Sequence, residues 1–190
     1  MSFNNNIKKP NTFLPTTREE MDQRGWDELD VILITGDAYI DSPFMGISVV
    51  GRLLEDIGLR VGIIGQPDVD SDVDVKRLGE PKLFWGVSGG SIDSMVSNYT
   101  ASKKFRNSDD YTPGGKNDKR PDRATLVYTN LLRQKYKNTV PIVLGGIEAS
   151  LRRVTHYDFW SNKLRKPILF DAKAENVDGL LEITFENEKI

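Results

Sequence analysis

The sequence predicts an open, doubly wound α/β domain built on a mostly parallel, five-stranded sheet. Three observations carry that expectation. Short, uninterrupted β-branched and apolar runs recur, as strands covered on both faces require. Stretches with helical spacing alternate with them, which is the pattern of strand–helix–strand units. Small residues, mostly glycine, follow the strand candidates.

The elements follow in order. Residues 1–25 are mostly polar, rich in Asn, Thr and Lys, with Phe13, Leu14 and Pro15 as a small apolar anchor, and read as an extended arm or a partly disordered tail. Val31-Ile-Leu-Ile-Thr35 is the first strand. Ser42-Pro43 reads as a helix start, with serine as the cap and proline in the first turn. Ile47, Val50, Leu53, Leu54 and Ile57 continue at helical spacing, and Gly58 ends the helix. Val61-Gly-Ile-Ile-Gly65 is the second strand. Residues 72–80 read as a short helix, and residues 83–88 as a third strand running into Gly89-Gly90-Ser91. Residues 91–100 start a helix, 101–122 form a loop, and 124–137 form an amphipathic helix. Pro141-Ile-Val-Leu144 is a fourth strand followed by Gly145-Gly146. Residues 149–154 and 157–165 read as helical around His156, and residues 168–170 as a fifth strand. Leu180-Leu181 and residues 183–185 are weak signals.

Composition bounds the function. The 190 residues suit one domain with a real core. At 38% hydrophobic and 28% charged, the chain is neither disordered by composition nor built to span a bilayer. No signal peptide opens it, and the cytoplasm is the expected compartment. A net charge of −2 argues against broad attraction to nucleic acid or an anionic membrane. With no cysteine, disulfides and all-protein thiolate metal sites are excluded. His156 is the lone histidine, which leaves little for a zinc site or a Ser–His pair.

In open α/β sheets, ligands bind beyond the carboxyl ends of the strands. The loops there are Gly36-Asp37-Ala38, residues 86–91 with Ser88, Gly89, Gly90 and Ser91, and Gly145-Gly146 leading to Glu148. Glycine lets the backbone approach a phosphate or flat ring, and equally makes a tight turn. No complete dinucleotide or P-loop fingerprint is present. Asp37, Asp41 and Glu148 form either an acidic set for acid–base work or a hard metal, or helix caps and partners for Arg152 and Arg153. The structural reading is preferred. His156 reads as packed and hydrogen-bonded. Between positions 103 and 123 stand Lys103, Lys104, Arg106, Lys116, Lys119, Arg120 and Arg123, with Phe105 and Tyr111 among them. Cations interleaved with rings bind RNA. Asp109, Asp110, Asp118 and Asp122 dilute the charge, so a solvated or domain-docking loop is preferred and an RNA partner is the alternative.

Several motifs stand in one order: Gly36-Asp-Ala-Tyr-Ile-Asp-Ser-Pro, Val87-Ser-Gly-Gly-Ser-Ile-Asp-Ser-Met-Val, Tyr99-Thr-Ala-Ser-Lys, Asp110-Tyr-Thr-Pro-Gly-Gly-Lys, Lys119-Arg-Pro-Asp-Arg-Ala-Thr, Gly145-Gly-Ile-Glu-Ala-Ser-Leu-Arg-Arg and His156-Tyr-Asp-Phe-Trp-Ser. Over roughly residues 10–174 they resemble the amino-terminal region of YgiQ-type radical SAM proteins. The resemblance implies a flavodoxin-like, B12-binding-like (cobalamin-binding-like) Rossmann domain over residues 26–174, preceded by the arm 1–25. It also implies a partner, the downstream radical SAM barrel, whose cysteines hold a 4Fe–4S cluster that cleaves S-adenosylmethionine. This chain would then be an accessory domain without radical catalysis of its own, its cofactor contacts drawn from Gly36, Asp37, Ser88, Gly89, Gly90, Ser91, Gly145, Gly146 and Glu148. Cobalamin is a possible ligand by that resemblance, although the histidine signature of base-off binding is missing and Ser42 stands where relatives carry histidine. Residues 175–190 depart from the family pattern, as in a truncated, split or frameshifted product.

Overall fold

A computed structural model describes residues 13–177. The arm's first twelve residues, Leu180-Leu181 and residues 183–185 lie outside the described residues. Along the chain run α1 (Arg18–Gln23), β1 (Val31–Thr35), α2 (Gly46–Asp56), β2 (Val61–Gly65), α3 (Val73–Lys76), β3 (Phe84–Ser88), α4 (Ser94–Asn98), a 3-10 turn (Pro113–Gly115), α5 (Ala124–Lys135), β4 (Ile142–Gly145), α6 (Gly146–Leu151), β5 (His156–Asp158), β6 (Lys163–Arg165), α7 (Ile168–Ala172) and β7 (Asn176–Val177). No helix among the described residues is long and apolar enough to cross a membrane.

Four parallel strands form the body of an α/β sheet, and the two-residue β7 pairs in parallel with β4, giving the order β2-β1-β3-β4-β7. Strands β5 and β6 form a separate antiparallel hairpin. The chain leaves β1 to one side for β2 and returns to the other side for β3, so the topological switch lies between β1 and β3.

Side chains alternate between sheet faces, and the two faces are treated differently. On the first, Ile32, Ile34, Ile64, Trp85, Val87, Ile142 and Leu144 pack under Tyr128, Leu131 and Leu132 of α5, with Val75, Leu78, Ile168 and Ala172 around them. On the second, Val31, Leu33, Val61 and Ile63 pack against Leu54 of α2 and Leu14. That second cover stops at β1. All five residues of β1 are buried, whereas β3 and β4 alternate between buried and half-buried. The half-buried set, Phe84, Gly86, Ser88, Val143 and Gly145, is the second face of β3 and β4. The expectation of strands covered on both faces therefore holds for β1 and β2 only.

The segment before β1 is ordered from Phe13 on rather than extended. Leu14 is buried, the Pro15 carbonyl accepts from Ile63 N at 2.9 Å, and α1 begins with a capping box between Thr17 and Glu20. Helix α2 starts one turn later than the Ser42-Pro43 signal. The Ser42 hydroxyl accepts from Phe44 N at 3.3 Å, a local turn that competes with helix capping. Gly58 does follow the helix with φ +97, as the sequence predicts.

Two expectations fail near the carboxyl end. Residues 157–165 form the β5–β6 hairpin instead of a helix, because turn chemistry outweighs spacing. Asp158 accepts from Trp160 N and from the Ser161 hydroxyl, and Asn162 adopts the left-handed φ of +52 that asparagine tolerates. Residues 168–170 begin α7 instead of forming a fifth strand. A three-residue apolar run does not distinguish the two. Here the fifth position in the sheet passes to β7.

Tyr128 is fully buried on the first face, its hydroxyl without a hydrogen-bond partner among the described residues. Burial pushes that hydroxyl's pKa above its ordinary value. An unpaired buried hydroxyl costs free energy that a phenyl ring does not. Tyr128→Phe is therefore expected to leave stability unchanged or raise it by up to about 1 kcal/mol in urea unfolding.

Candidate functional site

The carboxyl ends of β1 and β3 meet closely. Gly36 N donates to Ser88 O at 3.2 Å, and a side chain at Gly36 would collide with the Gly89 carbonyl. Gly36 is glycine because two strand-end loops share one space.

Asp37 follows and is buried. One carboxylate oxygen accepts from Ser91 N at 2.6 Å and the Ser91 hydroxyl at 2.7 Å. The other accepts from Arg120 Nη2 at 2.7 Å. The same nitrogen lies 3.2 Å from Asp109, and all three side chains are almost wholly buried. The Arg120 guanidinium also lies over the Tyr111 ring, 5.6 Å from its centroid. The loop is stitched further to the rim. Ala38 N donates to Tyr111 O at 2.9 Å, and the Gln66 amide donates to Gly36 O and the Thr112 hydroxyl. Gly90, at φ +112, is a position where any side chain would strike the Asp37 carboxylate.

Glu148 is buried and far from acid–base work. Its two oxygens accept from Ser94 N at 2.8 Å and Thr125 N at 3.0 Å, in the first turns of α4 and α5. One carboxylate thus satisfies amides of two helices, which carry partial positive charge. The Ser94 hydroxyl adds a bond from Ala124 N at 3.1 Å. A side chain at Gly89 would meet Glu148 at 2.5 Å, so that glycine is needed for the cap. Asp41 is elsewhere, paired with Arg52 of α2. The acidic set is thereby resolved into an ion pair, a helix cap and a surface pair. Among the described residues no three His, Asp or Glu side chains are placed to hold a metal ion. Arg152 pairs with Asp93 and not with the Glu148 carboxylate. His156 is half-buried, and its Nδ1 lies 3.0 Å from Val154 O.

Beside these loops the uncovered face of β3 and β4 forms a groove of about 480 Å³. Leu33, Gly86, Ser88, Val143 and Gly145 make its floor, Phe44, Ile47 and Val50 one wall, and Asp37, Gly90 and Ser91 its rim. A side chain at Gly145 would meet nothing within 4 Å, so this glycine opens the groove instead of relieving a clash. Among the described residues no lysine or arginine lines it. The structure thus brings Gly36, Asp37, Ser88, Gly89, Gly90, Ser91, Gly145 and Gly146 to one rim and takes Glu148 beneath it.

Sequence reasoning named Arg120 only as a cation of the basic loop and within one motif, and missed its pairing with Asp37, which lies 83 positions away. It also missed the groove floor, although Phe84-Trp-Gly-Val-Ser88 alternates large buried with small open residues. The basic loop does not present its cations together. Arg120 is buried, and Arg123 pairs at 2.5 Å with Asp158 of the hairpin. Burial raises the Asp158 pKa, but hydrogen bonds from Ser161 and Arg123 outweigh it and hold the carboxyl at about 2.

Residues 13–179 match the family model described as radical SAM N-terminal. A UPF0313 protein of Fusobacterium nucleatum is 62% identical over 164 residues, covering 86% of this chain and 29% of that protein. Similar proteins include a UPF0313 protein of Thermotoga maritima, 60% identical over 163 residues (86% and 29%), and one of Pseudomonas aeruginosa, 58% identical over 166 residues (87% and 22%). The chain therefore spans less than a third of the length of these relatives. No solved structure matches it.

Removing one partner of a buried ion pair leaves a bare charge. Arg120→Ala, which strands Asp37 and Asp109, is expected to cost about 3–5 kcal/mol in urea unfolding. Asp158 gives a pH dependence. Its folded pKa lies below the unfolded value of about 3.9, so the unfolded chain binds more protons in between. Its stabilisation is complete above about pH 4 and is lost as pH falls through about 2. The stability difference between the native chain and Asp158→Asn is expected to shrink over that window.

Proposed function

The chain belongs to the radical SAM N-terminal family, and from that membership we propose that it is the accessory N-terminal domain of a longer iron–sulfur protein, closing the bare half of its sheet against the region that carries the chemistry. The observation that carries this reading is the one-sided cover of β3 and β4. Their second face is a glycine-floored groove flanked by Phe44, Ile47 and Ile147, in a chain that spans 29% of its Fusobacterium relative. Phe44 is 92% exposed and Ile147 44%, a costly arrangement for apolar groups that a covering domain would relieve.

In this reading the order β2-β1-β3-β4-β7 is the flavodoxin-like arrangement. The Rossmann-like unit expected over residues 26–174 takes in β7 at Asn176–Val177 as well, and the family match runs to residue 179, so the divergent tail expected from 175 begins later. The rim residues Gly36, Asp37, Ser88, Gly89, Gly90, Ser91, Gly145 and Gly146 face the covering region, while Glu148 supports them from below. A 4Fe–4S cluster does not fit this chain, which has no cysteine to supply thiolates. Cluster and S-adenosylmethionine belong to the remainder of the longer protein, and no residue here takes a catalytic role. A cobalamin held through histidine does not fit either, since His156 bonds Val154 O and does not line the groove. With no lysine or arginine among its described lining residues, the groove also offers no counter-charge from them to a nucleotide phosphate.

The test is calorimetric titration of the chain with the part of the Thermotoga maritima relative outside its matched region. Saturable association with a negative heat-capacity change is expected. Gly145→Phe fills the groove without a backbone clash and is expected to weaken association roughly tenfold or more, with circular dichroism unchanged. No association, or association indifferent to both Gly145→Phe and Phe44→Asp, would refute the reading.

A further inference from the structure

The hairpin and the turn after α4 come together in a way the groove does not explain. Tyr99 is the hub. Its ring lies 5.6 Å from Phe105, edge to face, and 5.4 Å from Trp160, which in turn meets Phe159 at 5.3 Å. Lys103 locks the two segments together. Its ammonium sits 4.7 Å from the Phe159 ring centroid and donates to the carbonyls of Phe159 and Trp160 at 3.0 and 3.4 Å. It does so from a backbone at φ +60, a conformation that costs a non-glycine residue about 1 kcal/mol or more. Asn162, at the hairpin turn, also has positive φ, and its side chain bonds the Tyr157 hydroxyl.

Set edge-on or tilted against one another, these rings, and Tyr157 of the same hairpin, still face water. Phe105 is 53% exposed, Tyr157 59% and Phe159 49%, too much for packing alone to explain them. The charge around them is one-sided. Residues 151–166 hold Arg152, Arg153, Lys163, Arg165 and Lys166 against a single acid, Asp158. Arg152 is committed to Asp93, and Asp158 is buried and bonded to Arg123 and Arg165. Asp122 is occupied by Tyr99 and Asn98. Among the described residues Lys104, Arg106, Arg153, Lys163 and Lys166 have no carboxylate partner.

We propose that residues 99–106 and the β5–β6 hairpin together form a binding surface for single-stranded nucleic acid. Cations alone suit any anion, and rings alone suit a protein. A chain that repeats one charge and one flat ring per unit uses both, with phosphates on Lys104, Arg106, Lys163 and Lys166 and bases on the open faces of Phe105, Phe159 and Tyr157. This goes beyond the accessory-domain reading and uses none of the groove. It also differs from a basic loop over residues 103–123, because the hairpin supplies half of the surface and Arg120 and Arg123 supply none of it.

Fluorescence anisotropy of the chain with short labelled oligouridylate and oligothymidylate, at low and physiological salt, tests it. Binding to either strand is expected, with affinity falling as salt rises. A preference for one polymer assigns RNA or DNA as the source of the shared chemistry. Phe159→Ala and the pair Lys104→Glu with Lys163→Glu are each expected to weaken binding roughly tenfold. Lys137→Glu, an exposed cation beyond the other end of α5, is expected to leave it unchanged. Circular dichroism of each variant separates lost binding from lost fold, and Phe159→Leu, which keeps bulk without the ring, serves where alanine unfolds the hairpin. No binding at low salt, equal loss with Lys137→Glu, or indifference to both Phe159 variants overturns the proposal. So does loss of association with the remainder of a relative in place of nucleic acid, which would make the patch a domain interface.

Discussion

A single buried guanidinium holds the carboxyl-end rim in shape. Arg120 faces two carboxylates, Asp37 and Asp109, in a place without solvent, so the pair cannot separate without stranding a charge. Asp37 belongs to the loop after β1, and Arg120 and Asp109 to the long segment before α5. The bond closes a stretch with little regular structure over the switch point, and Asp37 in turn fixes Ser91 after β3. Three loops of distant sequence thereby share one electrostatic anchor. Glu148 does the same for helices, tying the starts of α4 and α5 to the element after β4. With both carboxylates engaged, the rim is pre-organised, yet neither is free for proton transfer.

That economy shapes what the domain can do. The rim's buried acids, Asp37 and Glu148, are both engaged in holding loops and helix starts in place. The half-covered sheet points the same way. Helix α2 seals β1 and β2, and beyond it the floor falls to glycine and serine. The parallel sheet leaves β3 and β4 half-buried on one face, and the chain spans only 29% of two of its relatives, so the accessory-domain proposal has both an open surface and additional chain to draw on.

Much of the fold was legible because β1, β2 and β4 are written as short apolar runs, β3 as an apolar segment ending in small residues, and α2 and α5 as apolar spacing, all local signals. The hairpin was not, because its cause is a carboxylate, Asp158, folding back on Trp160 and Ser161, which period counting ignores. Residues 168–170 were too few to separate strand from helix. Within the site, the positions of the strand-end glycines were readable from order alone. Their reasons were not. Gly36 and Gly89 yield to backbone and to Glu148, whereas Gly145 yields to nothing and is simply open. Arg120 was invisible as an anchor, since its partner lies 83 residues earlier and only the folded chain makes them neighbours.

The groove and the aromatic patch are chemically opposed, and the fold keeps them apart. The groove lies on the α2 face of the sheet and has no cation among its described lining residues. The hairpin is tied through Asp158 to Arg123, at the start of α5, which packs on the other face. A surface without positive charge repays apolar contact, because burying it strands nothing. A surface with unpaired lysines and arginines resists such burial, since each cation would have to give up water or find an acid. One partner therefore does not satisfy both. A protein region seated on the groove leaves the cations of the hairpin in solvent, where a polyanion gains most from them. Among the described residues the groove and the aromatic patch share no lining side chain, so the two proposed partners would not compete for the same groups.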